Sequence, residues 1–377
     1  MTWKIPLFKL HSDSKDINAV SRIIKSGMNW ATGDDIVFFE RELAAYAGVK
    51  YAVSFSSGTA ALHALLLALH IGKGDEVIVP SFTFISTANA VLFVGATPVF
   101  AEIERETFGL DYKDVERKIT KKTKAIIPVH IGGLACKIEE LKRVAEKHKL
   151  LLIEDAAESL GATIKGKKVG SFGCAGMISL CGPKVISTGE GGAIVTDSRD
   201  IYEQLRLLRS HGRADTKDYF KTTEYLDYIQ LGYNFRLSNI LAALGRTQLK
   251  KIEKLITARR KNSAYLSQQL KNIHEISVPT EPKNNRHIFQ MYIVRVGGGK
   301  NKRDALQKHL NEKGIMAKVY FPPVHLSQFY KSKGFKKGHL PETEAISNEV
   351  LTLPMFPTLT KHEMDFMAKE IKAFFHE

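Results

Sequence analysis

Two rhythms of apolar and polar positions interleave along this chain. Short unbroken apolar runs, among them "YAVSFSS" from residue 51, "EVIVPS" from 76, "AIIPVHIGG" from 125 and "LLLIEDAAE" from 150, alternate with "TAALHALLLALHI", "FISTANAVLFVG" and "KIEELKRVAEKHK", whose apolar positions recur at helical spacing. Strands apolar throughout, alternating with helices of 3.6-residue period, predict a mainly parallel sheet covered by helices on both faces. "GMISLC" and "GGAIVT" supply two further strands, and helices predominate from residue 198. Residues 238–270 read as helix long enough to join two domains.

A smaller α+β unit follows. "HIFQMYIVRV" and "MAKVYFP" read as strands, "KRDALQKHLNEKG" as a helix stopped by its glycine, and "KHEMDFMAKEIKAFF" as a closing helix. The expected fold class is α/β, with a large domain over residues 1–250, N-terminal segment included, and a small C-terminal α+β domain over residues 251–377. Length agrees, because 377 residues exceed what one core fills.

Composition narrows the function classes. A formal charge of +15 raises the question of nucleic acid, but the cations are scattered through helices such as "LKKIEKLITARRKN" and form no block. A solvated surface is expected, with no nucleic-acid partner, and its field would draw in small anionic substrates. The N-terminus "MTWKIPLFKLHSDSKD" lacks a signal-like apolar core and no later run is of membrane-crossing length, so a cytoplasmic location is expected. Cys136, Cys174 and Cys181 are odd in number and lack CxxC spacing, which suggests neither a disulfide framework nor a metal site.

In an open α/β sheet, ligands gather at the carboxyl ends of the strands. Ser57, Gly58 and Thr59 end one strand and begin a helix there, either as a phosphate-binding helix end or as a plain N-cap. Asp155 ends another, either capping the next element or holding a buried cation such as a protonated pyridine nitrogen. Phe82 and Phe84 follow a third strand, and either one stacks on a ligand ring or both are core. "GMISLC" carries Ser179 to the same edge, and "SLCGPKVISTGEGG" sets Lys184 in the loop beyond. A phosphate anchor, a carboxylate, an aromatic ring and a partly desolvated amine together suit pyridoxal phosphate: the amine forms a Schiff base with its aldehyde, and the acid keeps its ring nitrogen protonated.

The chain resembles the DegT/DnrJ/EryC1/StrS family of sugar aminotransferases, within the aspartate-aminotransferase fold class (fold type I), whose large domain has a seven-stranded, mainly parallel sheet. The likeness runs through "TGDDIVFFERELAAYAGVKYAVSFSSGTAALHALLLAL", "VIVPSFTFISTANAV", "IEDAAESLGATIKGKKVGSFG", "KVISTGEGGAIVTD", "LGYNFRLSNILAALGRTQL", "YFPPVHLSQFY" and "LTLPMFPTLT". By that resemblance Lys184 would be the Schiff-base lysine, Asp155 the partner of the pyridine nitrogen and Phe84 the stacking ring. Gly58, Thr59 and Ser179 would contact the phosphate, and Glu158 would lie near the phenolic oxygen. Asn234 of "GYNFR" would reach in from a neighbouring subunit, which implies a homodimer. Tyr320 and His325 of "YFPPVH" would lie near the sugar, again from the partner chain. "SLCGPK" departs from the family pattern, where an aromatic usually follows the serine and a proline before the lysine is uncommon.

The resemblance implies a two-stage amino transfer, from glutamate to a keto sugar carried on a nucleotide, in the building of surface polysaccharides or glycoconjugates. "KVISTGEGG" and "EDAAE" are more similar to the perosamine-synthase-like enzymes that aminate C4 of 4-keto-6-deoxy sugars than to the C3 branch, which usually has "KNLGALGDGG". C3 amination, a sugar dehydratase and a cofactor-binding regulatory protein remain as alternatives on the same scaffold. A dehydratase would replace the lysine with histidine, and no appended helix-turn-helix supports a regulator.

Overall fold

A computed structural model describes residues 3–214, 219 and 221–376. In chain order its strands are β1 Tyr51–Phe55, β2 Glu76–Pro80, β3 Thr97–Ala101, β4 Thr123–Ile126, β5 Leu151–Asp155, β6 Thr163–Ile164, β7 Lys167–Lys168, β8 Ala175–Ser179, β9 Gly192–Thr196, β10 Ile276–Ser277, β11 Asn285–Arg286, β12 Tyr292–Val296 and β13 Val350–Leu353. Seven of them form the central sheet in the order β1-β9-β8-β5-β4-β2-β3. Strand β9 is antiparallel to β1 and β8, and every other neighbouring pair is parallel. The expected mainly parallel α/β sheet of seven strands is what forms.

Burial on both faces explains the unbroken apolar runs. In β2, Ile78 enters one core with Phe39, Leu43 and Ile126, while Val77 and Val79 enter the other with Leu62, Leu65 and Phe100. Leu152 and Ile153 of β5 divide the same way, as the two-residue period of a strand requires.

The strand β8 arrives and β9 returns through a loop that must reverse within a few residues. Gly189 takes φ +87, a left-handed conformation in which glycine bears no penalty. Gly192 has a different reason: a Cβ there would lie 2.4 Å from the backbone nitrogen of Gly58, so β9 meets the N-terminus of the helix Gly58–Ala68 only without a side chain.

The smaller sheet is β10-β12-β13, antiparallel, packed with the helices Gly299–Glu312 and Lys361–His376 around Leu266, Val294, Leu306 and Leu351. Ile5 joins this core and bridges Ile315, so the N-terminal segment packs on the C-terminal unit. The long joining helix breaks at Lys250–Lys251 into Asn239–Leu249 and Ile252–Leu270. Ile252, Leu255 and Ile256 belong to the large core, and Leu266 and Leu270 to the small one. Buried Arg259, midway along, donates from Nη1 to the carbonyls of Phe289, Gln290 and Met355 at 3.3, 3.3 and 2.8 Å. Burial pulls its guanidinium down to about 10, still charged at neutral pH.

Two expectations need correction. "MAKVYFP" is not a strand: Lys318 makes only an isolated bridge to Thr352, Pro322 and Pro323 offer no N–H to extend it, and Val350–Leu353 is the strand that completes the small sheet. Helices also do not continue from 198, since Arg199–Arg209 is followed by turns and isolated bridges, among the described residues, as far as the N-cap Ser238. Among the described residues no helix is long and apolar enough to cross a membrane.

Gly192→Ala is expected to push β9 off the Gly58 helix end at a cost of about 1–3 kcal/mol by overpacking. A thermal melt should show the loss, and an unchanged melting temperature would mean that the close approach is not tight.

Candidate active site

Strands β1, β5 and β8 run in the same direction, so their carboxyl ends share one edge of the sheet. A cavity of about 330 Å³ opens there, within the ordinary range of about 300–1,000 Å³ for small-molecule sites. Gly58, Thr59, Phe84, Asp155, Glu158, Ser179, Lys184 and Tyr320 all line it. The edge predicted from the chain's periodicity thus gathers most of the predicted residues.

The N-cap reading of "SSGT" is seen directly. Ser57 caps the helix Gly58–Ala68, its Oγ accepting the Ala60 N–H at 3.1 Å. The N–H groups of Gly58 and Thr59, in the first turn, have no acceptor within the helix, and with the helix dipole they offer donors that an anion would satisfy. The two phenylalanines separate. Phe82 is fully buried against Phe108 and Phe321, whereas Phe84 is 61% exposed on the cavity wall.

Asp155 is only 3% exposed. Its Oδ2 accepts the hydroxyl of Thr87 at 2.8 Å, its Oδ1 accepts the Ala157 N–H at 3.2 Å, and Thr83 Oγ1 stands 3.0 Å from Thr87 Oγ1. Burial raises its carboxyl above the usual range; the bonds from Thr87 and Ala157 and the charge of Lys184 lower it, and Glu158 raises it. Among the described residues no basic side chain lies within 4 Å of it. A buried acid aimed at a cavity without a cation partner is a site that a cationic ligand atom would satisfy.

Lys184 has a 13% exposed side chain, and its Nζ lies 3.5 Å from Oε1 of Glu158. The Gly132 N–H fixes the other oxygen of Glu158 at 2.8 Å. The unusual "SLCGPK" segment is a turn in which the Lys184 N–H donates to the Cys181 carbonyl at 3.1 Å. Pro183 therefore sits where no donor is needed, and its own carbonyl accepts the side-chain amide of Gln290. Ser179, paired with Gly192 at the end of β8, accepts the Cys181 N–H at 3.4 Å.

Two predicted residues stand elsewhere. Asn234 is exposed in an isolated bridge to Ser210, outside this cavity. His325 is fully buried, with Ser81 Oγ 2.7 Å from Nδ1 and Glu344 Oε1 3.1 Å from Nε2, so both ring nitrogens are engaged and no substrate contact is left to it. Tyr320 was expected at the partner's site but lines the cavity of its own chain, with Lys318 Nζ 3.3 Å from its hydroxyl. Thr83, Thr87 and Lys318 were not anticipated. The i, i+4 spacing of the two threonines just past a strand end was the signal available for the first pair.

The donor set tests which group fits. The amine of Lys184 would take an aldehyde, Asp155 a protonated ring nitrogen, the Gly58–Thr59 helix end a phosphate and Phe84 a flat ring. Those are the parts of pyridoxal 5′-phosphate, and the residues fit it.

Residues 11–372 match the DegT/DnrJ/EryC1/StrS aminotransferase family. The chain is 40% identical over 337 residues to GDP-perosamine synthase of Caulobacter vibrioides, covering 89% of this chain and 88% of that one. It is 37% identical over 339 residues, with the same coverage, to UDP-N-acetyl-3-dehydro-alpha-D-glucosamine 3-aminotransferase of Acidithiobacillus ferrooxidans. Among solved structures, the PLP form of Spr1654 from Streptococcus pneumoniae superposes with a TM-score of 0.93 at 28% identity, covering 99% of this chain and 98% of that one.

The raised Asp155 carboxyl has a thermodynamic sign. The folded chain holds that proton more tightly than the unfolded one, so the stability it adds is complete below the ordinary carboxylate range and lost as pH rises through the folded value. Thermal melts of the apoprotein should therefore show Asp155→Asn more stable than the parent at neutral pH and Thr87→Val less stable, with Thr87→Ser restoring it. An Asp155→Asn melt that falls below the parent at neutral pH would contradict this.

Proposed function

Because the chain belongs to the DegT/DnrJ/EryC1/StrS aminotransferase family and is a pyridoxal-5′-phosphate-dependent sugar aminotransferase, we propose that it moves an amino group from glutamate to C4 of a nucleotide-linked 4-keto-6-deoxy sugar. The observation that carries this reading is the convergence of Lys184, Asp155 and the Gly58–Thr59 helix end on one cavity. When bound, the cofactor supplies an electrophilic aldehyde and an electron-withdrawing ring.

The chain's own groups divide the remaining work. Lys184 Nζ would hold the cofactor through its aldehyde and, as a free amine, would serve as the base that takes up and returns a proton in the cavity. Asp155 would hold the ring-nitrogen proton, and Thr87, donating to Oδ2, aims the carboxylate and favours its charged form. Glu158, anchored by Gly132 N–H, holds Nζ at 3.5 Å and would face the phenolic oxygen of the cofactor. Gly58, Thr59 and Ser179 seat the phosphate, and Phe84 covers the ring. Tyr320 contacts the sugar, and Lys318 beside it meets the diphosphate with a charge-assisted bond.

The protein acts as a cytoplasmic homodimer in polysaccharide or glycoconjugate assembly, with Asn234 completing the partner's phosphate site. Exposed Asn234 and the exposed apolar side chains of Met28, Trp30, Val37, Tyr228 and Leu231 support an interface. For the position of amination, "KVISTGEGG" and the perosamine-synthase relative favour C4. The 3-aminotransferase relative is the observation that favours the second reading, C3.

Purified holoprotein should be yellow, glutamate should bleach that band, and Lys184→Ala should abolish turnover. A colourless protein indifferent to added pyridoxal phosphate would contradict the reading. Incubation with GDP-, UDP- and dTDP-linked 4-keto and 3-keto sugars, with the amine located by NMR, should give C4 products; amination solely at C3 would select the second reading.

A further inference from the structure

A second cavity, of about 540 Å³, lies between the two domains. Its lining includes Arg105, Glu106, Phe108, Lys271, His287 and Arg295. The turn Ile131–Gly133 walls it off from the cofactor site: Gly132 lines this cavity, while its N–H donates to Glu158 on the other side.

The charges on its wall are not equivalent. Arg105 is committed to Glu342 and Glu349 at 3.3 and 3.2 Å, and Glu106 to Lys137 at 3.0 Å. Lys271 and Arg295 have no carboxylate within 4 Å among the described residues. Three cations less one carboxylate leave the wall at +2, and the surplus sits on those two residues.

His287 adds no charge to this wall. It is 5% exposed, and its Nδ1 accepts the Phe289 N–H at 3.0 Å, which assigns the proton to Nε2. Burial pushes the imidazole down to about 3, so the ring stays a neutral donor throughout the physiological range. The ring lines the cavity, with the backbone of Gly133 as a hydrogen-bond partner. Two cations without a carboxylate partner on one cavity wall call for a ligand with negative charge.

We propose that this cavity is a binding site for an organic diphosphate, separate from the cofactor site, with Arg295 and Lys271 holding the phosphates and Phe108 flanking the organic portion. The volume admits a nucleotide-sized ligand. Arg295 suits phosphate because its guanidinium presents paired donors in a fixed plane.

Isothermal titration of the cofactor-loaded protein with inorganic pyrophosphate and with GDP tests this without turnover, so its outcome is independent of the proposed reaction. The parent protein should show a binding event that Lys271→Gln/Arg295→Gln weakens at least tenfold. Lys271→Gln alone, at an exposed position, should weaken it severalfold even if the double variant folds poorly. Tighter binding of GDP than of pyrophosphate would mean that the organic portion is held, and equal binding that phosphate alone is. No binding event in the parent, or unchanged isotherms in both variants, would overturn the proposal.

Discussion

A carboxyl group held almost entirely out of water at a sheet edge organises this molecule. Asp155 closes β5, is supported by Thr87 and the Ala157 N–H, and meets no cationic side chain within 4 Å among the described residues. Left ionised there it is costly, and a ligand bearing a protonated nitrogen offsets the cost. The rest of the site follows from strand direction. Because β1, β5 and β8 are parallel, a helix end, an acid and the lysine loop arrive at one edge, and antiparallel β9 returns the loop after Lys184 to the sheet.

Much of this was legible along the chain because the relevant signals are local. Apolar runs ending in Ser57, Asp155 and Ser179 announce strand ends, and an edge common to parallel strands needs no knowledge of side-chain contacts. Long-range contacts were less readable. Phe82 and Phe84 both fit the stacking role, and only the packing of Phe82 on Phe108 and Phe321 separates them. His325 looks like a substrate ligand until Ser81 and Glu344, distant in sequence, take both ring nitrogens. The short sheet β11-β6-β7 is missed because two-residue strands carry no periodicity. "MAKVYFP" misled because its β-forming residues are followed by two prolines.

The large and small hydrophobic cores are joined through one helix and a short chain of hydrogen bonds. One helix, Ile252–Leu270, enters both cores, and Arg259 ties it to the segment that carries Gln290. Gln290 in turn holds the carbonyl of Pro183, the residue before Lys184. The lysine loop, unusual in its Cys181 and Pro183, is thus supported from the small domain as well as from the sheet, and Gly132 and Glu158 support the amine from a third direction.

The central claim is that the amine of residue 184 bonds to an aldehyde cofactor whose ring nitrogen lies on Asp155. Borohydride reduction of the native holoprotein, followed by proteolysis and mass spectrometry, tests it most directly. The account predicts a stable pyridoxyl adduct on Lys184 alone. An adduct on another lysine, or none, would contradict it.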